Sequence, residues 1–315
     1  MDAQALHLAK EALIQKSGPW TDHNMHLGSG VYTISDKITY SQIKLRRITQ
    51  IISDLANAPL KQLRILDLAC LEGLYGLELA RHGAHVIAIE GRPEGIEKGR
   101  FVQNMLSLDT ISFVQDDIRN LSREKYGEFD IVLCLGVLYH LNEPALFQFL
   151  ENLAGVCKRI AIFDTYISLK PRICCGYKGR RYWGLRHHEH SPESTAEQRR
   201  KALWASLDNA ESFWFTRPSL YNVLAHAGFT SLHECQFPTE IEKPQDRLTL
   251  VALKGARPAL FSAPLLENTT VEDLPEVQKM VIHECQRWYA PLLRKLIDFI
   301  PWSIRKTIYS LLRGK

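Results

Sequence analysis

The chain has 315 residues, of which 45% are hydrophobic and 23% are charged, a composition close to globular averages that excludes collagen-like and disordered chains. No apolar run approaches the roughly 18–20 residues that a membrane-spanning helix needs, and the N-terminus lacks the apolar segment of a signal peptide. The seven cysteines form no CxxC pair, so we expect reduced thiols and a cytoplasmic protein.

The net charge of +4 is unevenly distributed along the chain. Residues 170–201 hold nine Lys or Arg against three Glu, and residues 287–315 hold seven against one Asp. Basic segments of this kind indicate partners rather than a fold. We expect an anionic substrate at the first segment and an acidic surface at the second, although two solvated helix faces would give the same counts.

Helical and strand-like patterns alternate through most of the chain. Apolar residues at helical spacing predict an amphipathic helix over 41–57, and Pro93 and Pro218 open two further helices. Seven short apolar runs predict strands: 64–68, 86–90, 111–114, 129–135, 159–163, 231–237 and 247–253. This alternation predicts an α/β fold with a doubly wound, mostly parallel seven-stranded sheet and helical additions at both ends.

Changes in pattern divide the chain into three regions. Residues 1–60 are expected to form a helical cap, residues 61–255 the core, and residues 256–315 a linker followed by basic helices. Within the core, the segment 170–215 is rich in Arg, His, Tyr and Trp and shows no clear strand. We therefore interpret it as a lid and substrate-recognition insert.

The first predicted strand ends in Asp67-Leu-Ala-Cys-Leu-Glu-Gly73, and a helix follows at once. A strand, a tight turn of small residues and a helix N-terminus are the parts of a nucleotide-type cofactor site. Glu90 ends the second strand, where a carboxylate can accept hydrogen bonds from both ribose hydroxyls. Asp117 follows the third strand and can accept an adenine amine, while Ile118 can lie against the ring.

Four segments in this order resemble the motifs of the class I S-adenosylmethionine-dependent methyltransferases, over roughly residues 60–255: Asp67–Gly73, Ile87–Glu90, Gln115–Asp117 and Phe129–Gly136. The resemblance implies a Rossmann-like fold, with S-adenosylmethionine as cofactor. It also implies a set of cofactor-binding residues: Asp67, Ala69, Gly73, Glu90, Asp117, Ile118 and Leu135. Ala69 and Leu71 stand where the family usually has glycine. NAD-type dehydrogenases share the first two features, but Glu72 within the loop is expected to repel a pyrophosphate.

The fourth strand runs into Gly136-Val-Leu-Tyr139-His140-Leu, a segment that lies beside the methyl donor in the family that the chain resembles. A histidine titrates near neutral pH, so His140 is a candidate general base with Tyr139 beside it. The alternative is that His140 only shapes the pocket, because alignment of the reactants accounts for much of methyl transfer.

Substrate contacts are expected from both sides of the core. The segment Trp20–Thr33 resembles one in the bacterial tRNA wobble-uridine carboxymethyltransferase group and its relatives, which implies that Trp20 and His23 help to close the site. Beyond the fifth strand, where ligands of doubly wound sheets lie, further candidates are Arg181, Tyr182, His187 and Arg217. No metal is expected at His187–His190, because adjacent histidines converge poorly on one ion.

The sequence thus predicts a methyltransferase acting on oxygen, less readily nitrogen, of a small anionic or sugar-like metabolite. One alternative is a tRNA-modifying (carboxy)methyltransferase that binds nucleic acid through its basic insert; another is a catalytically silent partner protein with a cofactor fold. An apolar stripe beside Arg305 and Lys306 predicts helices that contact an anionic membrane surface, or that dock on the core or on a dimer partner. The oligomeric state has no signal in the sequence.

Overall fold

A seven-stranded sheet organises the protein in a computed structural model that describes residues 2–236 and 243–256. The described residues belong to one compact unit, apart from Lys170–Arg172, which are grouped with a second unit. The predicted C-terminal helices, and with them the predicted membrane contact, lie outside the described residues. Within those residues, no helix is both long enough and apolar enough to cross a membrane.

A small antiparallel pair precedes the main sheet and consists of β1 His26–Gly28 and β2 Val31–Tyr32. The strands of the main sheet are β3 Arg64–Leu68, β4 His85–Glu90, β5 Ile111–Gln115, β6 Phe129–Leu135, β7 Cys157–Tyr166, β11 Ser231–Glu234 and β12 Arg247–Leu253. Their order in the sheet is β11-β12-β7-β6-β3-β4-β5. Strands β3 to β7 pair in parallel, and β12 and β11 add antiparallel edges. The predicted doubly wound, mostly parallel sheet is confirmed.

Helices cover both faces of this sheet. Those of the described chain are α1 Ala3–Ser17, α2 Tyr40–Leu55, α3 Leu74–Arg81, α4 Pro93–Met105, α5 Arg123–Tyr126, α6 Ala145–Val156, α7 Ala196–Lys201 and α8 Arg217–Ala227. Neighbouring strand residues such as Ile65 and Leu66 enter two different apolar clusters, because successive side chains of a strand point to opposite faces. The continuous apolar runs in the sequence therefore reflect burial on both sides of the sheet.

The insert contains three strands that the sequence did not indicate: β8 Ile173–Tyr177, β9 Arg180–His188 and β10 Glu211–Phe215. They form an antiparallel sheet of order β10-β9-β8, so the prediction of an insert without strands is wrong. Lys178 and Gly179 join β8 to β9 with φ values of 46° and 78°, as a two-residue hairpin turn requires. The alternation was hidden because exposed Arg and His residues lie on both faces of β9.

The N-terminal segment is fixed to the loop after β3 by a buried carboxylate. Glu72 is 1% exposed and accepts hydrogen bonds from the Thr21 backbone N (2.8 Å), the His23 backbone N (3.2 Å) and Lys98 Nζ (3.3 Å). The Leu74 backbone N donates to His23 Nδ1 at 3.2 Å. Glu72 thus faces the N-terminal segment, which corrects the expectation that its side chain would repel a ligand in the loop.

The buried His23 predicts a loss of stability in acid. Burial, with a smaller effect of the Lys44 charge, lowers the pKa of His23 to about 3, whereas an unfolded histidine titrates near 6.5. Between these values the unfolded state binds one more proton, so the free energy of unfolding falls by up to about 1.4 kcal/mol per pH unit as the pH drops. In His23→Asn the amide oxygen replaces Nδ1 as acceptor and this contribution disappears.

Urea unfolding between about pH 6.5 and pH 4.5 measures the contribution of His23. We expect a shallower pH dependence for His23→Asn than for the wild type, and no change for His26→Asn, which replaces an exposed histidine of the same segment. Equal slopes in the wild type and His23→Asn would show that His23 does not stay neutral in the folded protein.

Candidate active site

A cavity of about 520 Å³ opens at the carboxyl ends of β3, β4, β6 and β7, where ligands of doubly wound sheets bind. The N-terminal segment supplies Asp22, His23 and Lys44 to its lining, and the insert supplies His187, Trp214 and the loop 203–209. Its volume is in the range of small-molecule and cofactor sites. Parts of the chain that are distant in sequence therefore enclose one site.

The loop after β3 keeps a left-handed backbone without the usual glycines. Ala69 has φ 50°, Leu71 φ 53° and Gly73 φ 85°, and a non-glycine residue in this region costs about 1–2 kcal/mol. The backbone N of Leu71 donates to Glu90 Oε2 at 3.0 Å, which offsets part of that cost. Leu71 thus preserves the conformation of the loop and lines the cavity.

Glu90 lies where a ribose would be bound. The side chain is 3% exposed and lines the cavity, and its second oxygen accepts from the Arg92 backbone N at 2.8 Å. Burial raises the pKa of Glu90. Each carboxylate oxygen keeps a lone pair beyond these backbone bonds, so two ribose hydroxyls fit as the remaining partners of a buried charge.

The other predicted cofactor residues fall into two groups. Ala69, Leu135 and Ile118 line the cavity, as does Asp67, whose pKa burial raises to about 7 and whose carboxylate accepts from the Gly76 backbone N. Gly73 is not part of the lining of the described cavity: a Cβ there would lie 2.7 Å from the Phe113 ring. Its role is close packing at the start of α3.

Asp117 lines the cavity but also holds the insert in place. Its carboxylate pairs with Arg119, which reaches Asp208 as well. Arg92, 8% exposed, donates to the carbonyl oxygens of Arg200 (3.0 Å), Ala202 (3.0 Å) and Ala205 (2.9 Å). The loop 203–209 is therefore clamped beside the nucleoside end of the cavity.

His140 is held by the carboxylate of Glu189, a residue for which the sequence predicted no role. His140 Nδ1 lies 2.8 Å from Glu189 Oε2, and the Glu189 side chain is 1% exposed. Burial alone would raise the pKa of Glu189, but bonds from His140, Ser212 Oγ (2.6 Å) and the Ser206 backbone N (2.8 Å) outweigh it and lower that pKa. An ionised carboxylate only accepts, so Nδ1 carries the proton and Nε2 is left as a proton acceptor.

Aromatic rings form one wall of the cavity next to His140. Tyr139 lies with its ring centroid 4.3 Å from His140 and 4.9 Å from Tyr166, and Trp214 stacks on both Tyr166 and His187. All five residues line the cavity. Burial raises the pKa of Tyr139 to about 12, so at neutral pH its hydroxyl is a hydrogen-bond donor rather than a base.

Four of the predicted substrate residues are not in the lining of the described cavity. Tyr182 is 2% exposed and pairs with His226, whereas Arg181 lies in solvent. Arg217 pairs with Glu234 at 2.6 Å, and Trp20 packs on Phe101. The lining does include the predicted His23 and His187, together with two cations that sequence reasoning missed, Lys44 and Arg247.

Comparison with known proteins identifies the core. A family model described as "Methyltransferase domain" matches residues 65–159. By its sequence this segment is a methyltransferase domain. The "Ubiquinone biosynthesis O-methyltransferase" of Acinetobacter baumannii (strain AYE) is 28% identical over 114 residues, covering 35% of this chain and 46% of that protein. The enzyme of the same name from Xylella fastidiosa (strain 9a5c) is 37% identical over 87 residues, covering 28% and 35%.

The methyltransferase domain shares its fold with solved structures. The N-terminal domain of EvdMO1, crystallised with SAH bound, has a TM-score of 0.61 and 22% identity, covering 80% of this chain and 97% of that chain. The same domain crystallised in the presence of SAH and D-fucose has a TM-score of 0.60 and 23% identity, with the same coverage. The chain spans less than half the length of the two curated relatives.

Removing the Glu90 carboxylate tests the cofactor site. Glu90→Ala deletes the acceptor of two hydroxyl donors, and hydrogen bonds to a charged group are worth about 1.5–3 kcal/mol, so we expect SAH to bind ~10-fold more weakly or worse. Calorimetric titration with SAH measures the effect, and the thermal unfolding midpoint monitors the loop that Glu90 also holds. Glu97→Ala, at an exposed carboxylate of α4, is the matched control; unchanged affinity in Glu90→Ala would refute the assignment.

Proposed function

We propose that this protein is an S-adenosylmethionine-dependent O-methyltransferase that acts on a hydroxyl group of a small molecule. The observation that carries the proposal is that His140, paired with the buried Glu189, lines the same cavity as Glu90 and the loop after β3. A cofactor site and a histidine oriented by a carboxylate, together in one cavity, are what proton removal coupled to group transfer requires.

Different residues of the cavity would have different roles in this reaction. When bound, S-adenosylmethionine supplies a methyl group on a positively charged sulfur and leaves as S-adenosylhomocysteine. Glu90 and the loop after β3 would hold the ribose, and the loop 203–209 would limit access of water to the nucleoside end. Nε2 of His140 would accept the proton of the acceptor hydroxyl, which frees that oxygen to act as the nucleophile. Glu189 keeps the imidazole in the required tautomer and stabilises its charged form.

Oxygen is the favoured acceptor atom because a hydroxyl has to lose its proton during transfer, and His140 is placed to take it. The curated relatives are named as O-methyltransferases, which supports the same atom. A sugar-like acceptor fits a cavity walled by aromatic rings, and a structural neighbour was crystallised with D-fucose present.

The two alternatives have less support. Within the basic segment 170–201, Arg186 pairs with Glu143 and Arg200 with Glu94, so less of its charge is available for RNA phosphates than the sequence suggested. A catalytically silent protein was considered because of Leu71, yet that residue keeps the left-handed conformation of a glycine. We expect a cytoplasmic enzyme acting on a small molecule.

Substitution of the His140–Glu189 pair tests the base. With an acceptor identified by release of S-adenosylhomocysteine, we expect His140→Ala to lower kcat by roughly 10²–10⁴-fold with little change in SAH affinity. Glu189→Gln should also lower kcat, and should shift the rate–pH profile because the imidazolium loses its counter-charge. His188→Ala, at an exposed neighbour in the insert, serves as the control. Activity of His140→Ala within about three-fold of wild type would leave His140 only a pocket-shaping role.

A further inference from the structure

The carboxyl end of β7 gathers more positive charge than its own carboxylate balances. Asp164 is 0% exposed and contacts Arg247 Nε at 2.7 Å, Lys44 Nζ at 3.3 Å and Lys243 Nζ at 3.7 Å. Asp22 is a second carboxylate close enough to interact with Lys44 and Arg247. Among these described groups, three cations meet two carboxylates, which leaves an excess of one positive charge.

The excess charge faces the cavity. Lys44 and Arg247 line it, as does Asp22, whereas Asp164 is absent from the described lining and lies behind the two cations. The side chains of Lys44 and Arg247 are 8% and 15% exposed, so both charges are largely removed from water. The Lys44 ammonium has three N–H donors, one of which reaches Asp164. The Arg247 guanidinium has five, and two of its nitrogens contact Asp164.

The pKa directions within the cluster differ between its two cavity-lining cations. Burial lowers the pKa of Lys44 by more than the nearby Asp164 raises it, whereas Asp164 outweighs burial at Arg247 and raises its pKa. Asp164 therefore compensates the charge of Arg247 better than that of Lys44. An anion that enters the cavity beside Lys44 would compensate this second charge.

We propose that Lys44 and Arg247 bind a carboxylate of the acceptor, so that the substrate is a hydroxy acid. This rests on the proposed function. The guanidinium of Arg247 suits a carboxylate because its planar fork can donate two parallel bonds. A single excess positive charge matches a carboxylate better than a phosphate dianion.

The position of the two cations also limits the shape of the acceptor. Arg247 lies over the Tyr166 ring at 5.0 Å from its centroid, Tyr166 contacts Tyr139, and Tyr139 contacts His140. The carboxylate site and the base therefore stand at the two ends of one aromatic wall. A ring that carries the carboxylate on one side and the hydroxyl on the other spans this arrangement.

The methyl donor also has a carboxylate, and this group would bind Lys44 and Arg247 in the alternative assignment. The two sources predict different effects of substitution. If the acceptor provides the carboxylate, loss of Lys44 or Arg247 raises the KM for the acceptor and leaves SAH affinity unchanged. If the donor provides it, SAH affinity falls instead.

The test uses the full-length protein and two matched acceptor pairs: 3,4-dihydroxybenzoate with catechol, and D-glucuronate with D-glucose. We expect the acid of at least one pair to be methylated with kcat/KM at least ~10-fold above its neutral partner. In Lys44→Met and Arg247→Gln, KM for that acid should rise by ~10-fold or more. KM for the neutral partner should rise less, and SAH affinity should be retained. Arg247→Lys keeps the charge next to Asp164 and should give a smaller rise, and Lys158→Gln, at an exposed ion pair, should change nothing.

The outcomes separate the proposals. Equal use of acid and neutral partners, or no methylation of either acid by a protein that binds SAH, overturns the hydroxy-acid assignment. A fall in SAH affinity with unchanged KM assigns the two cations to the donor and overturns it as well. Failure of the wild type to bind SAH removes the proposed function itself, and this proposal with it. If Arg247→Gln does not fold, Lys44→Met and Arg247→Lys decide the question.

Discussion

Four carboxylates of the described chain are buried near the ends of the parallel strands, and each is paired with a group from another part of the chain. Glu72, Glu90 and Asp164 are 3% exposed or less, and the Glu189 side chain is 1% exposed. An ionised carboxylate removed from water without partners is strongly destabilising. Glu90 binds the loop after β3, and Glu72 binds the N-terminal segment. Asp164 pairs with Lys44 of α2 and Arg247 of β12, and Glu189 joins the insert to His140. Pairing these groups draws separate parts of the chain to one cavity.

This arrangement favours a defined geometry more than it favours stability. Replacing a buried ion pair by apolar residues is often neutral or stabilising, whereas removing one partner is costly. Glu72 and Asp164 in particular fix where the N-terminal segment and α2 lie relative to the sheet, since both contact residues far away in sequence. We interpret the burial as the means by which a cavity walled by three distant segments keeps one shape.

The sequence was sufficient for the main sheet. The apolar runs of β3, β4 and β6 are continuous because both of their faces are buried. Glu90 was selected by its place at a strand end and does line the cavity, while its role in binding the methyl donor stays a prediction. The strands of the insert were missed because β9 is half exposed and its Arg and His residues mask the alternation. A usable signal was present, since Lys178-Gly179 stands between two runs rich in Tyr, Trp and Ile.

The acceptor end of the cavity was not predictable in the same way. Lys44, Asp164 and Arg247 lie on α2, β7 and β12, and only the topology brings them together. The basic insert suggested an anionic substrate, but Arg181 and Arg217 do not line the described cavity, whereas Lys44 and Arg247 do. In the sequence Glu189 stands among three histidines, a pattern that suggests a metal site. In the structure its side chain contacts His140 instead. His188 contacts Glu211, and His190 contacts the Ser206 carbonyl oxygen.

We propose that one cavity holds both the methyl donor and the acceptor hydroxyl, with His140 between them and solvent excluded by the insert. A crystal structure of the protein with SAH would show whether it does. We expect both ribose hydroxyls on the Glu90 carboxylate, and the sulfur facing the space bounded by Tyr139, His140 and Arg247. SAH bound elsewhere, or with its sulfur turned away from His140, would contradict it.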